Sequence, residues 1–313
     1  MRLLITRPLP EPVMQAARAR FEVTARESTL PLTPAELEAA LAEYDLVLPT
    51  LGDRFSADLF ATPPRARLLA NFGVGFNHID VAAARAAGVA VSNTPGAVTE
   101  ATADIALTLI LMTARRAGEG ERLLRAGQWQ GWHPTQLLGQ HVSGKTVAII
   151  GMGRIGQAIA RRCHFGFGMK VVFHARRPLA LDFPATQLPF ETAMQADFVV
   201  LAVPGGPQTR HLIDTRALGL MRPHAILVNI ARGDVVDESA LIAALQSGQI
   251  AGAGLDVYEQ EPVVPEALKA LENVTLLPHL GTAALEVRTA MGLMAVENLI
   301  AFAEGRPLPN ALP

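Results

Sequence analysis

Thr146–Gly156 reads TVAIIGMGRIG, and the rest of the chain is best read outward from it. Val147, Ala148, Ile149 and Ile150 form a continuous apolar run, the pattern of a strand buried on both faces. Gly151, Gly153 and Gly156 follow as G-x-G-x-x-G, and QAIARRC behind them places apolar residues at helical spacing. Each glycine has a separate task. Gly151 permits the tight strand-to-helix turn, Gly153 lets backbone approach a pyrophosphate, and Gly156 lets the helix lie close to the strand. The helix N-terminus offers free N–H groups and a positive dipole end to phosphate. A second strand, Lys170–Phe173, follows the helix, giving the βαβ context that this motif requires. The stretch therefore predicts a dinucleotide site.

The end of that second strand bears on which dinucleotide. An NAD site usually carries an acidic residue there, about 20 residues on, to hold the ribose 2′-OH, whereas an NADP site uses arginine for the 2′-phosphate. Here Phe173–Pro178 reads FHARRP, with Ala175 followed by Arg176 and Arg177 and no carboxylate. Guanidinium matches phosphate bidentately. The expectation is NADPH preferred over NADH.

The chain has 313 residues, half of them hydrophobic, which suits two domains each with its own core. Lys and Arg number 27 and Asp and Glu 29, for a net charge of −2, with no basic stripe for nucleic acid and no run long enough to span a membrane. The single cysteine, Cys163, excludes an internal disulfide, fits a reducing and hence cytoplasmic setting, and reads as a packed core thiol. No metal-ligand set is read.

The N-terminal part alternates short apolar runs with helical patterns: strands at 2–6, 22–26, 45–49, 67–71 and 89–93, helices at 10–21, 33–44 and 78–88. Thr33, Pro34 and Glu36 spell a capped helix start with a capping box. Thr94-Pro95-Gly96 then punctuates the chain before one long helix running from 97 to 116. After the glycine turn come further strands at 196–204, 225–233, 252–258 and 273–281, and a last helix from about Ala283. The expected architecture is α/β: a Rossmann-type doubly wound cofactor domain, 97–282, inserted into a flavodoxin-like substrate domain, 1–96 and 283–313. Two crossings between domains would allow hinge closure over a ligand.

Three strand ends of the cofactor domain carry polar residues: Arg232 in VNIARGDVVDE, Glu261 in DVYEQEP and His279 in LLPHLG. Ligands of open α/β sheets bind beyond the carboxyl ends of the strands. Reducing a ketone places negative charge on its oxygen, so a proton must arrive there, and imidazole suits proton donation near neutrality. Glu261 would orient the imidazole and Arg232 would anchor a carboxylate and polarise the carbonyl. Each residue alone has an ordinary structural reading; the three together at strand ends make the case. Asn71–Asn77, NFGVGFN, adds glycine-flanked N–H groups that could hold a carboxylate, or simply a turn needing glycine.

These stretches together resemble the D-isomer-specific 2-hydroxyacid dehydrogenase family nearly end to end: GVGFNHID (73–80), TEATADIAL (99–107), GKTVAIIGMGRIG (144–156), VNIARGDVVDESAL (228–241), AGLDVYEQEP (253–262) and LPHLG (277–281). The resemblance implies catalytic Arg232, Glu261 and His279. It implies substrate contacts at Val74 and Gly75, at Leu51 in the 49–55 loop, and at Arg232 and His279. For the cofactor it implies Arg154 and Ile155 with Gly151, Gly153 and Gly156 at the pyrophosphate, Thr102 near the phosphates, and Asp256 at the nicotinamide amide. Val203, Pro204, Ile230, Ala231, His279 and Gly281 complete that set. It also implies a homodimer built around the helix near 98–115. Ala175 stands where NAD-using members carry Asp, as in NADPH-preferring glyoxylate and hydroxypyruvate reductases. Glu261 argues against a formate dehydrogenase, Val74 against a phosphite dehydrogenase, and PGGPQTRHL departs from the family's usual PLTPET pattern at Gly205 and Gly206. The expected activity is reduction of glyoxylate or hydroxypyruvate; the alternatives are an NAD-dependent dehydrogenase of other specificity, or a dinucleotide-sensing regulator.

Overall fold

The computed structural model describes residues 1–313 and divides into two compact units, Met1–Val98 with Thr282–Pro313, and Thr99–Gly281. The first unit holds five strands: β1 (Arg2–Ile5), β2 (Glu22–Ala25), β3 (Leu46–Leu48), β4 (Leu68–Ala70) and β5 (Ala90–Ser92). They pair in the order β2-β1-β3-β4-β5, all parallel, which is the flavodoxin-like order. Successive residues of β1 feed opposite cores. Leu3 and Ile5 pack with Leu46, Leu48 and Leu299 on one face, and Leu4 packs with Val47 and Leu69 on the other. Both faces are covered, so the strand reads as an unbroken apolar run. The final helix, Leu285–Ala303, lies against the first, Glu11–Arg18. Gly292 permits that approach: a Cβ there would sit 2.5 Å from Val13 Cγ2. The capping box is present, with the Glu36 N–H donating to Thr33 Oγ1 and the Thr33 N–H to Glu36 Oε2 at 2.7 Å.

The second unit holds β6 (Thr146–Ile150), β7 (Lys170–His174), β8 (Thr186–Gln187), β9 (Phe198–Leu201), β10 (Ile226–Asn229), β11 (Gly252–Leu255) and β12 (Val274–Leu276). Their order, β12-β11-β10-β9-β6-β7-β8, is parallel throughout. Chain order reverses between β6 and β9, the switch point at which a doubly wound sheet opens its ligand crevice. Again the strands are buried on both faces: Val147 and Ile149 join one core, Ala148 and Ile150 the other. The α/β expectation holds, with both sheets in the expected topologies.

Two local readings change. The long helix spans only Thr99–Ala114; Arg116 adopts φ 51°, and a separate helix, Ala117–Arg125, follows. The break is sealed by Gly139 and Gln140: the Gln140 N–H donates to the Ala114 carbonyl at 2.7 Å, and a Cβ on Gly139 would lie 2.2 Å from that oxygen. The strands are also shorter than their apolar runs, because their last residues leave the ladder to form loops. Cys163 is buried, and desolvation pushes its thiol up to about 12, which keeps it protonated and inert. No helix is long and apolar enough to cross a membrane.

Candidate active site

The glycine loop after β6 is built as its sequence demands. Gly151 has φ 100°, and a Cβ there would meet the Ala202 carbonyl oxygen at 2.6 Å and Val203 Cγ1 at 2.9 Å. A Cβ on Gly156 would lie 2.1 Å from the Gly151 oxygen. Gly153 differs: nothing lies within 4 Å of its Cβ position, so packing does not explain the glycine. Gly153 is also the N-cap of the helix Arg154–Arg161, and no side chain caps that end. An open backbone approach beside uncapped N–H groups of Arg154 and Ile155 fits a diphosphate.

Beyond β7, the Gln187 side-chain amide donates to the Ala175 and Arg177 carbonyls at 2.9 and 3.1 Å, pinning the turn. Arg176 and Arg177 are exposed, and Arg176 donates to Gln208 Oε1 at 3.0 Å. No carboxylate hydrogen-bonds this turn.

At the other side of the switch point, the loops after β10, β11 and β12 meet. His279 Nδ1 lies 2.8 Å from Glu261 Oε2. An ionised carboxylate only accepts, so Nδ1 carries the proton and Nε2 is left to face a ligand. Both side chains are 31% exposed, so the imidazole is reachable. The second Glu261 oxygen accepts the Tyr258 N–H at 3.1 Å. Burial pushes the Glu261 carboxyl up, but the bond and charge of His279, the Tyr258 N–H and the charge of Arg232 outweigh it and hold it below its usual range.

His279 has φ 55°, a conformation uncommon outside glycine. Asp256 secures it. The Asp256 carbonyl accepts the His279 N–H at 3.0 Å, and its carboxylate accepts the Leu280 and Gly281 N–H groups at 2.6 and 2.8 Å. The Gly281 carbonyl in turn accepts Thr102 Oγ1 at 3.2 Å. Asp256 and Thr102, assigned to the cofactor by resemblance, thus both already grip the turn that displays His279. Burial raises the Asp256 carboxyl above its usual range despite those N–H groups.

Arg232 follows β10. Its Nη1 donates to the Ala231 carbonyl at 2.7 Å, and the Ala231 N–H donates to Asn229 Oδ1 at 3.0 Å. Burial lowers its pKa, opposed by the charges of Glu261 and Asp234. Two glycines to which the sequence gave no role at Arg232 shape this corner. A Cβ on Gly205 would lie 2.7 Å from Arg232 Cγ, and one on Gly233 would lie 1.8 Å from the Tyr258 carbonyl carbon. The GG at 205–206 and the RG at 232–233 were the available signals. Gly233→Ala is expected to cost about 1–3 kcal/mol of stability through overpacking and to reduce turnover, since relief requires moving the Tyr258–Glu261 loop. A melting curve and a rate at one temperature check both.

In the first unit, Asn71 Nδ2 donates to the Gly73 and Gly75 carbonyls, each at 3.0 Å, and Asn93 Nδ2 to the Val74 carbonyl at 2.8 Å. The carbonyls of this loop are engaged while the Val74 and Gly75 N–H groups have no acceptor in the chain. Leu51 is exposed in a loop braced by Arg7, which donates to its carbonyl at 2.7 Å, and by buried Asp53.

Comparison with known proteins places this architecture. The profile described as D-isomer specific 2-hydroxyacid dehydrogenase, NAD binding domain, matches residues 107–281. A glyoxylate reductase of Thermococcus gammatolerans is 45% identical over 317 residues, covering 99% of this chain and 95% of its own. This chain belongs to the D-isomer specific 2-hydroxyacid dehydrogenase family. A crystal structure of the TT0316 protein from Thermus thermophilus superposes with a TM-score of 0.93 at 43% identity, covering 100% of both chains. An NADPH-dependent glyoxylate/hydroxypyruvate reductase from Sinorhizobium meliloti, solved with NADP and malonate, gives 0.86 at 35% identity, covering 99% of this chain and 96% of that one. As a 2-hydroxyacid dehydrogenase family member the chain is an oxidoreductase, and the residues that match the NAD binding domain profile, 107–281, lie within the unit Thr99–Gly281.

Proposed function

We propose that this dehydrogenase reduces a small 2-oxo acid, glyoxylate or hydroxypyruvate, to the 2-hydroxy acid, in the (R) form where that product is chiral, with NADPH preferred over NADH. The observation that carries the reading is the His279–Glu261 pair at the carboxyl edge of the sheet that also holds the glycine loop. Relatives named glyoxylate reductase support the substrate class. When bound, the dinucleotide supplies the hydride for the substrate's carbonyl carbon. His279 delivers the Nε2 proton to the oxygen as its charge develops, and Glu261 holds Nδ1–H and offsets the positive charge of the imidazolium beforehand. Arg232 pairs with the substrate carboxylate and polarises the carbonyl. The Val74 and Gly75 N–H groups are assigned to that carboxylate, and Leu51 to the substrate's remaining substituent. Gly151, Gly153, Arg154, Ile155 and Gly156 are assigned to the diphosphate, and Val203, Pro204, Ile230, Ala231 and Gly281 to the nucleoside walls. The protein is assigned to the cytoplasm, as a homodimer around Thr99–Ala114. The half-buried Ile105, Leu111 and Met112 and the exposed Trp129, Trp132 and Leu138 of the same unit support a covering partner copy.

Arg176 and Arg177 carry the cofactor preference. Charge-assisted hydrogen bonds contribute about 1.5–3 kcal/mol, so the variant with both arginines changed to alanine should bind NADPH about 10- to 100-fold more weakly and NADH as before. Equilibrium titration of both cofactors checks this; unchanged NADPH affinity contradicts the preference.

A further inference from the structure

We propose that Glu238 is a positioning residue for this reaction: its buried carboxylate grips the loop that carries Glu261 and thereby keeps the His279 imidazole aimed. The inference rests on His279 being the proton donor.

Glu238 opens the helix Glu238–Gln246, whose N-cap Asp237 already accepts the Ala240 N–H at 3.1 Å. A carboxylate at a helix start gains from the dipole while staying in water. Glu238 instead is only 9% exposed, and its Oε1 accepts the Glu259 N–H at 2.8 Å. Burial raises its carboxyl above the usual range, and the negative charges of Glu259 and Glu261 add to this. Burying an acid is costly without a specific partner. The partner here is one peptide group, Tyr258–Glu259.

That peptide is held from both sides. Gly233 lies against its carbonyl carbon, where any Cβ would overlap at 1.8 Å, and Glu238 holds its N–H. Tyr258 then donates its own N–H to Glu261 Oε1, and Glu261 Oε2 meets His279. Tyr258 Oη reaches forward to the Leu277 carbonyl at 2.9 Å, two residues before His279. A third tether joins the loop after β9: His211 Nε2 lies 2.8 Å from Glu259 Oε1, and the His211 N–H donates to the Asp234 carbonyl at 2.7 Å. Gly233 and Glu238 belong to the same short segment that begins with Arg232. One stretch of chain therefore presents the guanidinium at its front and locks the carboxylate of the proton-donor pair at its back. Glu238 acts through Glu261 and is not assigned to substrate.

Steady-state rates with glyoxylate and NADPH, NADPH affinity and thermal melts on the full-length protein test this with Glu238→Ala, Glu238→Gln, Glu261→Gln and the Ala/Gln double variant. Glu238→Ala should lower kcat about tenfold, with KM and NADPH affinity changed less than about twofold. Glu238→Gln, whose amide oxygen still accepts the N–H, should recover most of the rate. In the Glu261→Gln background, Glu238→Ala should cost less than about twofold more, because the two act as one unit. Full activity of Glu238→Ala, failure of Glu238→Gln to recover it, or equal losses in both backgrounds would overturn the proposal. If Glu238→Ala does not fold, Glu238→Asp, which withdraws the carboxylate by one methylene, should show the same kcat loss, and wild-type activity there overturns it. Wild-type activity of His279→Ala would instead remove the underlying assignment of the proton donor, a separate outcome.

Discussion

Replacing His279 by alanine is expected to lower kcat for 2-oxo acid reduction by about 10²–10⁴-fold, with little change in NADPH affinity. The imidazole is the group placed to protonate the developing alkoxide, with Nδ1 committed to Glu261 at 2.8 Å and Nε2 left for the ligand. Its turn is fixed by backbone bonds to Asp256, which do not depend on the side chain, so the loss should fall on turnover and not on folding. Single-turnover rates with glyoxylate separate the chemical step from binding. The pH dependence follows from the carboxylate. Glu261 is held below its usual range, so its ionised form persists as pH falls and is lost only below the ordinary glutamate value. Reduction should therefore show no acid limb from Glu261 above about pH 5. A kcat profile with a step near pH 6 that vanishes in Glu261→Gln would contradict this.

Replacing Arg232 by alanine is expected to lower kcat/KM by about two to three orders of magnitude, the range for removing one partner of a buried charge pair. Both kcat and KM should suffer, because the same guanidinium binds the carboxylate and polarises the carbonyl. Lysine should not restore activity. Its point charge lacks the planar fork, and the corner is cut for arginine, with Gly205 giving room to the stem and Gly233 letting the loop after β11 close in. A full set of initial rates for both variants measures this; a KM change alone, at wild-type kcat, would assign Arg232 to binding only.

What the sequence made readable was whatever rests on local pattern. Continuous apolar runs predicted strands covered on both faces, and Leu3, Leu4 and Ile5 do enter two cores. Thr33-Pro34 with Glu36 predicted a capped start because that chemistry lies within four residues. The misses are features whose cause lies far away along the chain. Strand β8 is two exposed residues, Thr186 and Gln187, with no apolar run to announce it. The break at Arg116 has no glycine or proline of its own; it is set by Gly139 and Gln140, more than twenty residues on. In the site, Arg232, Glu261 and His279 were readable as polar residues at strand ends. Gly205, Gly233 and Glu238 were not, since their roles come from the approach of neighbouring loops.

The role of His279 is most directly tested by a crystal structure with NADPH and oxamate, a non-reducible 2-oxo acid analogue. His279 Nε2 is expected about 3 Å from the analogue's keto-equivalent oxygen, with Arg232 on its carboxylate and Glu261 still on Nδ1. An imidazole turned away from that oxygen, or a carboxylate bound without Arg232, would contradict it.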